Sequence, residues 1–342
     1  MLTARRLGRT SLRVGVLALG GVALGDFYEE IPGERALATI EAAYRSGIRL
    51  YDTSPLYGHG LSEHRFGHVL RGKPREDLVI STKVGRWLKP ERPDRIERGW
   101  FKGGLNFAPV YDYSYDGAMR SLEQSYQRLG MNQIDIVLIH DVDVWTHCSR
   151  EAYERRFAES MEGAYRALDK LRSDGVIRAI GAGVNEVEPC IRYAHAGDFD
   201  CFLLAGRYTL LEQNGLDDLL PLAEAKGFSL LLGGPFNSGI LATGAVPGAK
   251  YNYKPAPPEI MARVDRIEAV CGRHGVPIAA AAIQFPLGHA QVASIVPGAA
   301  SAAEVERNVA LMDTPVPAAL WAELKAEGLL AVAAPTPQKS AT

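Results

Sequence analysis

At 342 residues, 47% hydrophobic and 23% charged, the chain has the make-up of a globular protein long enough for one large α/β barrel or two average domains. Lys and Arg (38) nearly balance Asp and Glu (40), leaving a net charge of −2, so no one-signed field recruits nucleic acid or an anionic membrane. Four scattered cysteines without a CxxC pair fit reduced thiols in a cytoplasmic protein rather than a disulfide or zinc framework, and no apolar stretch approaches the roughly 20 residues of a membrane helix.

The N-terminal segment MLTARRLGRTSLRVGVLALGGVALG has an arginine pair ahead of an apolar run, a superficial likeness to a signal peptide. Gly15, Gly20 and Gly21 break the run and no A-x-A site follows, so residues 14–20 are read as a first strand. Seven further apolar runs follow at 48–52, 78–83, 134–140, 176–183, 199–206, 228–234 and 292–298. They are apolar throughout rather than alternating, as strands of a parallel sheet covered on both faces must be. Helical patterns lie between them, among others at 33–47, 117–130, 157–175, 215–227 and 301–312, several closed by a glycine suited to a C-cap. Eight βα units predict a single (β/α)8 TIM barrel over residues 1–332. The alternative, a doubly wound sheet, would carry a GxGxxG turn after an early strand, and LGGVALG lacks that spacing. The tail 333–342, AAPTPQKSAT, is expected to be disordered.

Active sites of barrels lie at the C-terminal strand ends. Three consecutive runs end in ionisable residues, Asp52, Lys83 and His140, and Tyr57 follows on the turn after Asp52. Singly, each has a plain structural role: a turn cap, a snorkelling lysine, a satisfied core histidine. Together at one barrel mouth they make a site, because burying unpaired charge is costly. A phenol titrates near about pH 10, and an ammonium within a few ångströms favours its phenolate. With Asp52 holding Lys83 and His140 donating to a substrate oxygen, the set suits carbonyl–alcohol interconversion, with a cofactor carrying hydride. A Schiff-base lysine at Lys83 is a rival chemistry. So is a metal site built from His140, Asp141, Asp143 and His147, or from His64 and His68, though these read better as a loop and a solvated helix face. No metal is expected.

The four residues in the segments YDTSPLYG, VISTK and IDIVLIHD resemble the catalytic tetrad of the aldo-keto reductases, and RRLGRTSLRVGVLALGGVALG resembles their N-terminal β-hairpin and first strand. The resemblance runs from about residue 5 to about 312. It implies a nicotinamide cofactor bound without a Rossmann domain, Tyr57 as general acid/base tuned by Lys83 and Asp52, and His140 orienting the substrate oxygen. It also places Asn185 at the nicotinamide carboxamide, with Val184 standing where a serine is usual, and Tyr208 nearby, with Ala205 where a glutamine is usual. Pro235, Phe236, Ser238, Gly239 and Leu241 fall in the pyrophosphate loop. Pro297, Gly298, Ser301, Glu304 and Asn308 fall in the adenosine segment. Gly298 and Glu304 replace the basic residues of many NADP-preferring members, so NAD is the expected cofactor and NADP the alternative.

The connection from Gly85 to about Asp116 is long and rich in aromatic residues, the mark of a binding loop. Trp87 there, with Trp145, His147 and Asn237 on later loops, are the candidate substrate contacts. The stretches VYDYSYDGAMRSLEQS and AGRYTLLEQ resemble the branch of the family that oxidises L-fucose, L-galactose or pyridoxal as a cyclic hemiacetal to a lactone. That resemblance implies an L-fucose-like aldose as substrate. Pyridoxal, or reduction of a general aldehyde, is the second reading, and a cofactor-binding sensor without turnover the third. The partner is then a small sugar or aldehyde, not nucleic acid or a membrane.

Overall fold

The computed structural model describes residues 3–338. The chain opens with an antiparallel hairpin, β1 (Ala4–Arg6) on β2 (Arg13–Gly15), in register Ala4 to Gly15. Eight parallel strands follow: β3 (Leu19–Gly20), β4 (Leu50–Asp52), β5 (Val79–Val84), β8 (Ile136–His140), β9 (Ala179–Val184), β10 (Cys201–Ala205), β11 (Ser229–Gly233) and β14 (Val292–Val296). Each pairs with the next in that order. The Ala18 amide donates to the Ile295 carbonyl (2.9 Å) and Gly20 to Pro297 (2.8 Å), which closes the sheet into the expected (β/α)8 barrel.

The first strand differs from its expectation. Residues 14–20 do not form one element: Val14 belongs to the hairpin and only Leu19–Gly20 pair with β4. Leu7, Leu12 and Val14 of the hairpin pack on Leu50, Val79, Ile136 and Cys201 inside the barrel, so the hairpin plugs the N-terminal end of the barrel and leaves the other end open.

The helix expected over 157–175 is two helices, Arg150–Glu162 and Ala164–Ser173, broken at Gly163. A Cβ at Gly163 would lie 2.5 Å from the Tyr113 carbonyl oxygen, so the break is where the backbone of the preceding loop passes close by. The long connection 85–116 is not irregular: β6 (Arg86–Pro90) pairs antiparallel with β7 (Phe107–Tyr111), standing over the open end. A short hairpin of β12 (Lys250–Tyr251) and β13 (Lys254–Pro255) meets this connection, Tyr253 stacking on Trp100. The tail is ordered further than its composition suggested. Residues 333–338 are described and Ala334 is fully buried, its amide bonded to Ala331, because this segment packs over Gly288; residues 339–342 lie outside the described residues.

Candidate active site

Asp52 is the last residue of β4, and its side chain is buried at the open end. It accepts hydrogen bonds from Ser81 Oγ (2.8 Å) and from Lys83 Nζ (2.7 Å), and the ammonium also donates to the Thr53 carbonyl (2.8 Å). Both partners are out of solvent, so the pair holds a charge inside the barrel that neither residue alone would tolerate. Tyr57 reaches the same point from the turn after β4, with Lys83 Nζ 4.6 Å from the centroid of its ring.

That turn is fixed by two close approaches. Gly58, with φ 64°, and Gly25 meet backbone to backbone: a Cβ on Gly25 would lie 2.5 Å from the Tyr57 carbonyl carbon. His59 is buried and bonds through Nδ1 to the Phe107 carbonyl, tying the turn to β7; burial lowers its pKa.

His140 ends β8, and its ring lies edge-on to Tyr57 with centroids 5.8 Å apart. Ser54 Oγ lies 3.1 Å from Nδ1 and the Asp141 carboxylate lies 3.4 Å from Nε2, so the ring proton is assigned to Nε2 and the Ser54 hydroxyl donates to Nδ1. Burial, then the charges of Arg86 and Lys83, hold the ring pKa well below its ordinary value, so the imidazole is neutral and presents an N–H donor. Tyr57 goes the other way. Burial, with Asp52 and Asp141 adding to it, raises the phenol well above pH 10 and keeps it protonated in the free protein. Lys83 was expected to draw it down; its charge is matched by Asp52 at 2.7 Å, and desolvation wins.

From these residues a cavity of about 840 Å³ runs to the helix Ala302–Asp313. That volume is large for a small substrate alone and in the upper part of the range for ligand pockets. Asn185, Pro235, Phe236, Ser238 and Gly239 line it, as do Pro297, Gly298, Glu304 and Asn308 at the far end. Both amide hydrogens of Asn185 are taken, by Asp141 Oδ1 (3.2 Å) and Asp143 Oδ2 (3.1 Å), which leaves its carbonyl to accept a bond. Asn237, Ser238 and Gly239 have φ of 45°, 63° and 104°, a left-handed run beside the cavity. Glu304 caps its own helix, accepting from the Ala300 amide at 2.9 Å, while Ser301 accepts the Glu304 amide at 3.3 Å.

Three residues expected around the cofactor lie elsewhere. Tyr208 is buried against Phe285, ring centroids 5.5 Å apart, Leu241 is part of the core, and Ser301 serves as the helix cap. Of the substrate candidates, Trp145 and Asn237 line the cavity, and the side chain of Asn237 is tied up by Thr209 (2.6 Å) and Gly206 (3.1 Å). Trp87 and His147 do not line it. Alternation along β6 turns Trp87 to the outer face, where Arg120 stacks on it at 3.6 Å, and His147 packs against Tyr111 and Tyr113.

The cavity also holds Phe27 and Tyr28, which the sequence reading did not consider, and it brings in binding-loop residues that the reading left unassigned. Phe27 and Tyr28 come from the loop after β3 and join Trp100 and Tyr253, whose rings stack 5.2 Å apart. Arg86 and Asp141 stand beside His140. Arg86 follows β5, the third barrel strand, by two residues, at the start of the long aromatic connection; the loop aromatics carried no periodicity that separates lining from packing residues.

A parallel barrel plugged at its N-terminal end carries a buried Lys–Asp pair, a tyrosine and a histidine at one end of a long cavity. Residues 16–327 match the model of the Aldo/keto reductase family, and the chain belongs to that family. It is 44% identical to the pyridoxal 4-dehydrogenase of Microbacterium luteolum, over 95% of this chain and 97% of that one. It is 37% identical to the D-threo-aldose 1-dehydrogenase of a Pseudomonas species, over 95% and 96%. The solved holo structure of an aldo-keto reductase of Bacillus halodurans superposes with a TM-score of 0.75 at 24% identity, covering 99% of each chain, and shares the fold. Aldo-keto reductases use nicotinamide cofactors. Among the described residues no group of three His, Cys, Asp or Glu side chains is placed to hold a metal ion, and no helix is long and apolar enough to cross a membrane.

Proposed function

We propose that this chain oxidises a cyclic hemiacetal to its lactone with NAD, the substrate being an aldose of the L-fucose type. The observation that supports it most is the arrangement at the cavity floor: the His140 ring stands edge-on to Tyr57, and the buried Lys83–Asp52 pair lies against the Tyr57 ring, so a donor, a titratable phenol and a cation able to stabilise its phenolate lie together. When bound, the oxidised nicotinamide supplies the hydride acceptor. The groove fits such a cofactor: small residues Pro297, Gly298, Ala299 and Ala300 precede a helix N-terminus, where anions are favoured. The free carbonyl of Asn185 offers a partner to an amide. Phe236, Ser238 and Gly239 would lie along the pyrophosphate, and Glu304 and Asn308 at the adenosine end.

The work of the chain is on the proton. His140 Nε2 donates to the anomeric oxygen and fixes it against Tyr57 Oη. Tyr57, as phenolate, takes the anomeric hydroxyl proton while the C1–H electron pair leaves, and the Lys83 ammonium stabilises the phenolate so required. The closed floor keeps water away from the reacting atoms. Four unpaired cysteines suit a cytoplasmic setting.

Pyridoxal is the second reading, favoured by the 44% identity to a pyridoxal 4-dehydrogenase and by the ring wall of Phe27, Trp100 and Tyr253. Initial rates of NAD reduction with L-fucose, L-galactose, D-arabinose and pyridoxal, with the lactone identified by mass, test both. The expected result is lactone formation that falls by about 10²–10⁴ in Tyr57→Phe. Tight cofactor binding with no turnover of any substrate would overturn the enzymatic reading in favour of a sensor.

A further inference from the structure

Beyond the proton relay, the substrate end of the cavity holds a second polar pair. Arg86 opens β6 and its side chain is only 4% exposed. Its Nη2 donates to Asp141 Oδ2 (2.9 Å) and to the Tyr111 hydroxyl (3.1 Å), and the guanidinium lies 4.4 Å over the Tyr111 ring. Its Nη1 is buried and has no hydrogen-bond partner among the described residues. Arg75 Nε and Arg192 Nη1 are buried and unpartnered in the same way, so this nitrogen alone does not mark a ligand; the place of Arg86 in the cavity wall beside Asp141 does.

Asp141 has a left-handed backbone (φ 56°), held by its amide bond to the Gly183 carbonyl (2.8 Å). Asparagine and glycine adopt that conformation more readily than aspartate, and such strain gathers at functional sites. The conformation puts Oδ2 3.4 Å from His140 Nε2, the nitrogen that would orient the reacting oxygen. A carboxylate acceptor beside His140 Nε2 and the guanidinium donor paired with it therefore both line the cavity.

We propose that Arg86 and Asp141 recognise a hydroxyl group flanking the reacting carbon and so determine which carbonyl compounds are turned over. This rests on the hemiacetal dehydrogenase reading above. A neutral hydroxyl satisfies both members of the pair: the guanidinium donates to its oxygen and its hydrogen goes to the carboxylate. An anionic substituent would face Asp141, and a simple aldehyde would leave a desolvated donor and acceptor without their third partner. Two sources supply the same chemistry. In an aldose it is the hydroxyl on the carbon next to the anomeric one; in pyridoxal the nearest counterpart is the 3-hydroxyl, one carbon further from the reacting carbon and more acidic, so the aldose fits the pair better.

The test compares kcat/KM of the wild type for L-fucose against 2-deoxy-L-fucose, and for pyridoxal against the same ring lacking the 3-hydroxyl. Loss of the hydroxyl is expected to lower kcat/KM about 10–100-fold in whichever series is the substrate, the range for a hydrogen bond to a charged group. In Arg86→Met that ratio falls to within about 3-fold of one, Arg86→Lys retains part of it, and the NADH dissociation constant from fluorescence stays put. A merely structural arginine would lower both members of a pair alike and leave the ratio unchanged. Turnover of hydroxylated and deoxy compounds at equal kcat/KM by the wild type overturns the proposal even where Arg86→Met fails to fold. Turnover of none of the four overturns the dehydrogenase reading and this one with it.

Discussion

Lys83 Nζ and Asp52 Oδ2 lie 2.7 Å apart at the floor of the barrel mouth, with neither side chain more than 5% exposed. The pair explains two things at once: why two consecutive apolar strands can end in opposite charges, and why Tyr57 stays a phenol beside an ammonium. Removing one partner strands the other charge. Lys83→Met is expected to destabilise the fold by roughly 3–5 kcal/mol, the range for breaking a buried pair. It should also lower oxidative kcat by about 10²–10⁴, the size of a lost acid–base contribution. Urea unfolding and steady-state kinetics of the same preparation read the two effects separately.

Oxidation needs the phenolate, and burial raises the Tyr57 pKa well above 10. The base form therefore grows with pH across the accessible alkaline range. Oxidative kcat/KM is expected to climb steadily from pH 7 toward about 10, while reduction, which uses the phenol, stays flat until Tyr57 titrates. The residual rate of Tyr57→Phe should show no alkaline climb. An oxidation profile that levels off below pH 8 in the wild type contradicts the assignment.

The buried Asp141 gives an acid-side signature. Its carboxyl pKa is raised to about 6, chiefly by burial, with Arg86 opposing. A carboxyl raised above its unfolded value binds more protons in the folded state. Its contribution to stability is thus full below about pH 4 and is lost as pH rises through about 6. His140, held below its ordinary value, acts oppositely: its contribution is present above about pH 6.5 and lost as pH falls. Asp141→Asn removes the first term alone. Plotted against pH, the unfolding free energy of the wild type minus that of Asp141→Asn should fall between pH 4 and 6; a flat difference refutes the raised pKa.

Much of this site was legible in the chain because polarity at the end of an apolar run is a local signal. Asp52, Lys83 and His140 each close such a run, and parallel pairing in register brings their ends to one mouth. The small residues ahead of the capped helix at the far end of the cavity were legible in the same local way. What escaped notice depends on contacts distant in sequence. Val14 has the composition of a barrel strand, and only its pairing with Arg5 assigns it to a plug. Trp87 and Arg86 differ by one residue, and the pleat of β6 sends one outward and the other to the cavity. Tyr208 matches a family pattern, yet its side chain faces Phe285 in the core. Phe27 and Tyr28 sit on an aperiodic loop that carries no pattern to read.

At the far end of the cavity Glu304 presents a carboxylate, with Arg307 one turn on and bonded to the Ala242 carbonyl at 3.1 Å. A carboxylate there repels a 2′-phosphate and can accept bonds from free ribose hydroxyls. NAD is expected to be used with the higher kcat/KM. Glu304→Gln, which keeps a cap acceptor for the Ala300 amide, should raise kcat/KM for NADP about 10-fold and change NAD less than 3-fold. Preference of the wild type for NADP would show that Arg307, not Glu304, governs this end.

Gly25 provides a test of how tightly Tyr57 must be placed. An added methyl would meet the Tyr57 carbonyl carbon at 2.5 Å and the Gly58 nitrogen at 2.6 Å, so the turn carrying the phenol has to move. Displacement of about 1 Å at a reacting group can cost roughly 10² in rate. Gly25→Ala is therefore expected to lower kcat about 10–100-fold; NADH affinity is expected to change less than kcat, although Gly20, Val22 and Ala23 of the same loop line the cavity beside Gly298. Gly33, where an added Cβ meets nothing within 4 Å, is the control, and Gly33→Ala should leave kcat within 2-fold. Equal kcat values for the two variants would mean that the turn yields without moving Tyr57, and that the Gly25–Gly58 contact does not set its position.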